Sequence, residues 1–124
     1  MTGKRHIIID IPAPADWINS NQRLHRMQTA KLTKAWRAAA TRAAEGIGPL
    51  TTPIHIYAHI WKPRSNRYDP GNLYPTAKAC VDGLVDAGLL TDDDHTRLIG
   101  PDMRHGGKGN PQLILIIETP KETT

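Results

Sequence analysis

The stretch IHIYAHIW, residues 54–61, decides how this chain folds. Isoleucine or alanine occupies every even position, and histidine, tyrosine or tryptophan occupies every odd position. A period of two is the repeat of a β-strand, in which successive side chains point to opposite faces of a sheet. The stretch therefore predicts a strand with one buried face, and a sheet around it.

The segments on either side of this strand predict the remaining elements. In chain order these are a strand at 6–11, a loop at 19–28, a helix from Thr29 that Gly46 and Gly48 end, a second helix at 73–87, a short strand at 97–100, a Gly-rich turn at 104–110 and a strand at 112–119. The order β-α-β-α-β-β predicts an α/β (α+β) fold with a mixed β-sheet and two main helices. The length of 124 residues favours a single compact domain over residues 1–124.

The second predicted helix carries charged side chains along one side. Lys78, Asp82 and Asp86 follow one another at spacings of four, so they line the same side of the helix. Asn72 is predicted to cap its start and Gly88 its end.

Composition restricts the class of protein. The longest aliphatic run is too short to cross a membrane, and the apolar run near the N-terminus is too short for a signal peptide. We therefore expect a cytoplasmic protein with no membrane partner. The single cysteine, Cys80, excludes an internal disulfide and a multi-cysteine zinc site, and we expect it to pack in the core.

The charges are divided between two parts of the chain. Residues 17–68 contain nine Lys or Arg and one acid, whereas residues 69–102 contain seven acids and two basic residues. A basic segment suits a polyanion such as nucleic acid. The alternative is that both charge runs are solvated faces.

Three aspartates stand side by side at 92–94, and a fourth, Asp69, follows the basic run. Carboxylate oxygens are the ligands that Mg²⁺ and Mn²⁺ prefer, so these residues are candidates for a metal site. The alternative is that the three adjacent aspartates cap a turn. A helix of about 22 Å separates Asp69 from them, so they meet only if the chain returns along the side of that helix.

Three motifs in this order are similar to those of the RusA-type crossover junction endodeoxyribonucleases of phages and prophages. They are D-x-x-N at Asp69 and Asn72, K-x-x-x-D-x-L at Lys78, Asp82 and Leu84, and A-G-x-x-x-D-D at Ala87-Gly88 and Asp92-Asp93. Residues 19–26 resemble the N-terminal motif of the family, and the likeness covers residues 19–118. The helix between the motifs makes the ordered set more specific than any one of them.

The resemblance implies a metal-dependent, structure-selective endonuclease that resolves Holliday (four-way) junctions by paired symmetrical nicks in DNA recombination and repair. It implies a homodimer of mixed α/β fold, working in the cytoplasm of a bacterial host. Asp69, Lys78 and Asp93 match catalytic positions, and the ligands implied for Mg²⁺ (or Mn²⁺) are Asp69, Asp82, Asp92 and Asp93. We expect the branched DNA to contact Arg23, Arg26, Arg64, Arg67 and Asn72. Solvated loop charge is the alternative for the arginines.

The sequence departs from the family pattern at two points. Where the family has D-x-D-N, this chain has D-P-G-N, so Gly71 replaces the second aspartate. Five residues separate Asn72 from Lys78, where the family type has two. A ligand is therefore absent, or Asp82, Asp92 or Asp94 supplies it. Two rival hypotheses remain: a junction-binding protein of the same fold that has lost catalysis, and an unrelated small α/β protein in which the acidic turn, residues 92–94, is structural.

Overall fold

The alternating stretch forms strand β2, Ile54–Lys62, in a computed structural model that describes residues 3–64 and 66–121. Ile54, Ile56, Ala58 and Ile60 are fully buried, whereas the residues between them are partly exposed. The predicted alternation is confirmed: the even positions of β2 face the core, and the odd positions face away from it.

The described residues form one α+β domain with a mixed four-stranded sheet and two main helices. The elements are β1 (Lys4–Pro12), α1 (Arg26–Ala43), β2, a 3₁₀ turn (Pro70–Leu73), α2 (Tyr74–Asp86), β3 (Leu98–Lys108) and β4 (Gln112–Pro120). The predicted order β-α-β-α-β-β is confirmed.

The sheet has the strand order β1-β4-β2-β3. β4 pairs antiparallel with both β1 and β2, whereas β3 pairs parallel with β2. A parallel pair needs a crossover connection, and α2 provides it here. The segment after α2 must therefore travel back along the helix before β3 begins.

The two helices pack against each other over the core. A Cβ atom at Gly83 of α2 would lie 2.8 Å from Ala40 Cβ and closer still to the Arg37 carbonyl oxygen, so only glycine permits this approach. Trp36 is fully buried, and its indole Nε1 donates to the Asp16 carbonyl oxygen at 2.9 Å. Cys80 is buried as expected, and burial raises the pKa of its thiol to about 12.

Gly88 ends α2 as predicted. It adopts a φ of +85°, and the Leu89 N–H donates to the Leu84 carbonyl at 3.1 Å, the long bond of a Schellman cap. The predicted cap at the other end is wrong. The residue before the first turn of α2 is Leu73, which makes no side-chain cap, and Asn72 lies inside the 3₁₀ turn. The short turn inserted between Asp69 and α2 moves Asn72 out of the capping position.

Two other predictions need correction. The predicted Gly-rich turn at 104–110 is wrong up to Lys108, because β3 continues through these residues in parallel pairing with β2. The Trp61 indole lies against Gly106 and Gly107, where a Cβ atom would collide with it, so an aromatic ring replaces the missing side chains. α1 begins at Arg26 instead of Thr29, since His25 accepts from Met27 N at 3.2 Å and forms a capping box with Gln28.

None of the helices in the described part of the chain is long and apolar enough to cross a membrane.

Candidate active site

Lys78 joins α2 to the segment that follows it. Its Nζ atom donates to Asp82 Oδ1 at 3.0 Å, one helical turn further along α2, and to Asp93 Oδ2 from the acidic turn. The predicted side of α2 is thus confirmed for Lys78 and Asp82. The chain does return along the helix, because Asp93, fifteen residues after Lys78, reaches its ammonium. We call Lys78, Asp82 and Asp93 the lysine cluster.

Opposite charges hold the lysine cluster in its ionised form. Burial alone would lower the pKa of Lys78, but the hydrogen bonds to Asp93 and Asp82 outweigh it and raise the pKa above its ordinary value. The hydrogen bond from Lys78 lowers the pKa of Asp93. Both side chains remain in partial contact with solvent, with 41% of the Lys78 side chain and 27% of the Asp93 side chain exposed. Both side chains are therefore accessible from solvent.

The three adjacent aspartates differ in what they contact. Asp92 Oδ1 accepts from the Asp93 backbone N–H at 2.8 Å, and Asp94 Oδ1 accepts from the Thr96 N–H at 2.9 Å. Asp94 also pairs with the Arg97 guanidinium. Asp94 therefore caps a turn, as the structural alternative predicted, whereas Asp92 bonds to the backbone of the next residue and the Asp93 side chain turns towards Lys78.

Asp69 forms no hydrogen bond or ion pair with the lysine cluster. Its Oδ1 accepts from the Gly71 N–H at 2.9 Å and caps the 3₁₀ turn. The 3₁₀ turn and the first turn of α2 separate it from Lys78, a span of at most about 14 Å along the two axes. The structure thus brings together Lys78, Asp82 and Asp93, but Asp69 makes no hydrogen bond with them.

Asp69 lines an open groove with its neighbours in the segment 66–70 and with one residue of β3. The groove is formed by Asn66, Arg67, Tyr68, Asp69, Pro70 and His105. Tyr68 OH hydrogen-bonds to His105 Nδ1, and Lys62 Nζ lies 4.1 Å from the centre of the Tyr68 ring. We call this site the Asp69 groove. The sequence gives no signal for His105, because local glycine content predicts a turn there, whereas the residue lies on β3 opposite Ile60.

The predicted DNA-contacting residues lie on two exposed segments next to these sites. Arg64 and Arg67 are exposed before Asp69, and Arg23 and Arg26 are exposed before and at the start of α1. Asn72 connects the two regions of the chain: its carbonyl oxygen accepts from the Ser20 N–H at 2.8 Å, in the loop that leads to Arg23 and Arg26. The loop that resembles the family's N-terminal motif is thereby attached next to the 3₁₀ turn.

The donor set does not form a metal cage within one chain. Two carboxylates converge on one point in the lysine cluster, and the ammonium of Lys78 occupies that point. Across residues 3–64 and 66–121, no three side chains of His, Cys, Asp or Glu are grouped in a way that would hold a metal ion. The oxygen chemistry suits Mg²⁺ or Mn²⁺, but the number of ligands does not, so a metal site needs donors from outside this grouping.

Comparison of the chain with protein-family models and with curated proteins finds no match.

Proposed function

We propose that this chain is a structure-selective DNA endonuclease of the RusA type, acting as a homodimer on four-way junctions in recombination and repair. The observation that carries the proposal is the lysine cluster. Lys78, Asp82 and Asp93 come from two of the motifs on which the resemblance rests, and they meet in a partly exposed site. A merely structural acidic turn would not need to direct Asp93 towards a lysine on the preceding helix.

The charges of this site suit hydrolysis of a phosphodiester. Water attacks the phosphorus, the bond to one ester oxygen breaks, and the products are a phosphate end and a hydroxyl end. Lys78 supplies a positive charge for the phosphate oxygens, where negative charge accumulates in the transition state. Asp93, held ionised by Lys78, accepts a hydrogen bond from the attacking water. In the proposed complex, Asp69, beside the exposed Arg67, would face the same DNA strand from the Asp69 groove.

Metal dependence is part of the proposal, and it requires more ligands than the lysine cluster offers. Mg²⁺ or Mn²⁺ would supply charge stabilisation at the phosphate. The residues proposed to hold it are Asp69, Asp82, Asp92 and Asp93. A second copy of the chain is the source of further carboxylates that the resemblance implies, and a two-fold dimer suits the symmetry of a junction.

A second candidate function is junction binding without cleavage. Two observations favour it: position 71 carries no carboxylate, and Asp69 makes no hydrogen bond with the lysine cluster. In that case the DNA would be held by the basic residues Arg23, Arg26, Arg64 and Arg67. The lysine cluster would be an ion-paired group with no part in a reaction.

The deciding experiment compares a synthetic four-way junction with a linear duplex of the same sequence, in Mg²⁺, in Mn²⁺ and in a chelator. Paired symmetrical nicks in the junction alone, lost in chelator, are the expected result. Tight binding without nicks in any metal would favour the second candidate. Equal affinity for junction and duplex, with no nicks, would contradict both and leave the acidic turn with a structural role.

A further inference from the structure

The solvent-facing side of α1 carries charge of one sign. Its exposed residues include five basic ones, namely Arg26, Lys31, Lys34, Arg37 and Arg42, and the helix contains no acid. The first turn also has no acid, although the helix dipole favours one there. A solvated helix face normally mixes charges of both signs. The sign of this face fits a polyanion.

Small side chains separate these cations. Ala30 and Ala38 are exposed between them, and the hydroxyls of Thr33 and Thr41 turn back to helix carbonyl oxygens, each at 2.9 Å. Two shallow depressions result, and both are lined by Lys34 and Arg37. One extends to Arg26 and the other to Arg42. A ligand backbone can therefore lie close to the helix without meeting large side chains.

Only one of the five cations is neutralised by an acid among the described residues. Arg37 forms a two-point ion pair with Asp86 of α2, through Nε at 2.6 Å and a second guanidinium nitrogen at 2.8 Å. Within the same described ranges, Lys34 and Arg42 form no ion pair. Asp86 is also the one acid that lines either depression. We call Arg26, Lys31, Lys34 and Arg42 the α1 ridge.

The ion pair between Arg37 and Asp86 joins α1, which carries the ridge, to α2, which carries the lysine cluster. Asp86, which contacts α1, is eight residues after Lys78 on α2, a rise of about 12 Å. One DNA strand carries a phosphate about every 3.4 Å along the duplex axis. A duplex lying on α1 would therefore reach the lysine cluster within about four base pairs.

We propose that the α1 ridge holds the phosphate backbone of a duplex DNA arm next to the site of cleavage. The ridge is a surface separate from the lysine cluster and the Asp69 groove, and this inference rests on the proposed DNA substrate. Its proposed contacts are ionic and independent of sequence, because contacts to phosphates position a protein on DNA without reading base edges.

Affinity for a linear duplex tests the ridge without requiring cleavage. The variant Lys34→Gln/Arg42→Gln is compared with Arg5→Gln/Lys121→Gln, which removes the same charge from exposed positions on β1 and just after β4. The ridge variant should lose roughly tenfold or more in affinity at 0.1 M salt, and the negative slope of log K against log salt should become less steep by about 1.8. The control should stay within about twofold. Equal losses of affinity in both variants would mean that binding depends on net charge and not on the position of the charges, and would overturn the inference.

A substitution that strengthens binding excludes damage to the fold as the cause. Asp86→Asn releases Arg37 from its ion pair and removes the acid from the depression, so duplex affinity should rise by about threefold or more. Unchanged or weaker binding would overturn the inference. If ridge variants bind DNA like the wild type and junctions are still nicked, the inference about the α1 ridge is overturned and the proposed function stands. A wild-type chain that binds no DNA would overturn the proposed function as well.

Discussion

The lysine cluster and the Asp69 groove both present a carboxylate to solvent, but they compensate its charge in different ways. In the lysine cluster, Asp93 meets a full positive charge on Lys78. In the groove, Asp69 accepts a single backbone N–H from Gly71, and Arg67 and His105 line the same groove. The first carboxylate is already neutralised by its own chain, whereas the second is open to an external cation or donor.

This difference identifies which half of the proposed site is preorganised. Two carboxylates already hold the Lys78 ammonium in place, so a phosphate oxygen that displaces one of them meets a positioned positive charge. Asp69 lacks the neighbouring carboxylate that the D-x-D-N motif would provide, since Gly71 stands there. We infer that catalysis depends on the cluster first and on the groove second, and substitutions can separate the two contributions.

Asp93→Asn should have the largest effect, because it removes one of the two carboxylate charges of the cluster and keeps the shape of the side chain. We expect nicking of a four-way junction to fall by a factor on the order of 10² to 10³, with junction affinity nearly unchanged. The measurement is single-turnover nicking beside a gel-shift titration. Asp10→Asn, the same chemical change on exposed β1, is the control. Undiminished nicking by Asp93→Asn would remove Asp93 from the reaction.

Lys78→Ala should slow cleavage by about 100-fold, since no other cation within residues 3–64 and 66–121 bridges Asp82 and Asp93. Binding should weaken far less, because phosphate contacts are spread over many basic residues. Lys4→Ala is the matched control: Lys4 also pairs with a carboxylate, Glu118 at 2.7 Å, on the β1 edge of the sheet. If both lysine variants cleave at the wild-type rate, the cluster has a structural role only.

The fold could be predicted where periodicity and capping act locally. The alternation of residues 54–61 and the glycine at 88 depend on neighbouring residues alone, and both predictions are confirmed. The extension of β3 could not be predicted, because it depends on parallel pairing with β2 and on the Trp61 ring that covers Gly106 and Gly107. These contacts join residues more than forty positions apart, so local glycine content was misleading.

The candidate site could be predicted only in part, for a related reason. Helical spacing placed Lys78 beside Asp82, and the return of Asp93 along α2 was left as a condition that the structure fulfils. The different contacts of Asp92, Asp93 and Asp94 could not be read from three identical residues. The His105 position in the groove depends on the length of β3, which local composition obscured.

Gly71→Asp tests the groove by adding the carboxylate that it lacks. A Cβ atom at position 71 would lie 3.2 Å from Asp69 Oδ1, so the new carboxylate would stand beside the existing one. Two adjacent carboxylates repel unless a cation binds between them. We expect nicking at low Mg²⁺ or Mn²⁺ to rise by about threefold to tenfold. Gly71→Asn, similar in shape but neutral, should give no gain; equal gains from both would indicate an effect of the backbone instead of charge.

The smallest expected effect concerns stability, and it distinguishes the two carboxylates without any assay of activity. The pKa of Asp93 is lowered in the folded protein, chiefly by the hydrogen bond from Lys78, from an ordinary value of 3.8. A lowered pKa means that the stabilisation is present above pH 3.8 and is lost as the pH falls through the native pKa. Because both side chains are partly exposed, the contribution should stay below about 1 kcal/mol.

The difference in unfolding free energy between wild type and Asp93→Asn, from urea titrations, should therefore be present at pH 6 and shrink towards zero below pH 3.8. Asp69→Asn keeps a side-chain oxygen that can accept from the Gly71 N–H, so its effect on stability at pH 6 should be smaller than that of Asp93→Asn. An Asp93→Asn difference that does not change with pH would mean that Lys78 does not hold Asp93 in solution. The lysine cluster would then not be preorganised, and its distinction from the Asp69 groove would no longer hold.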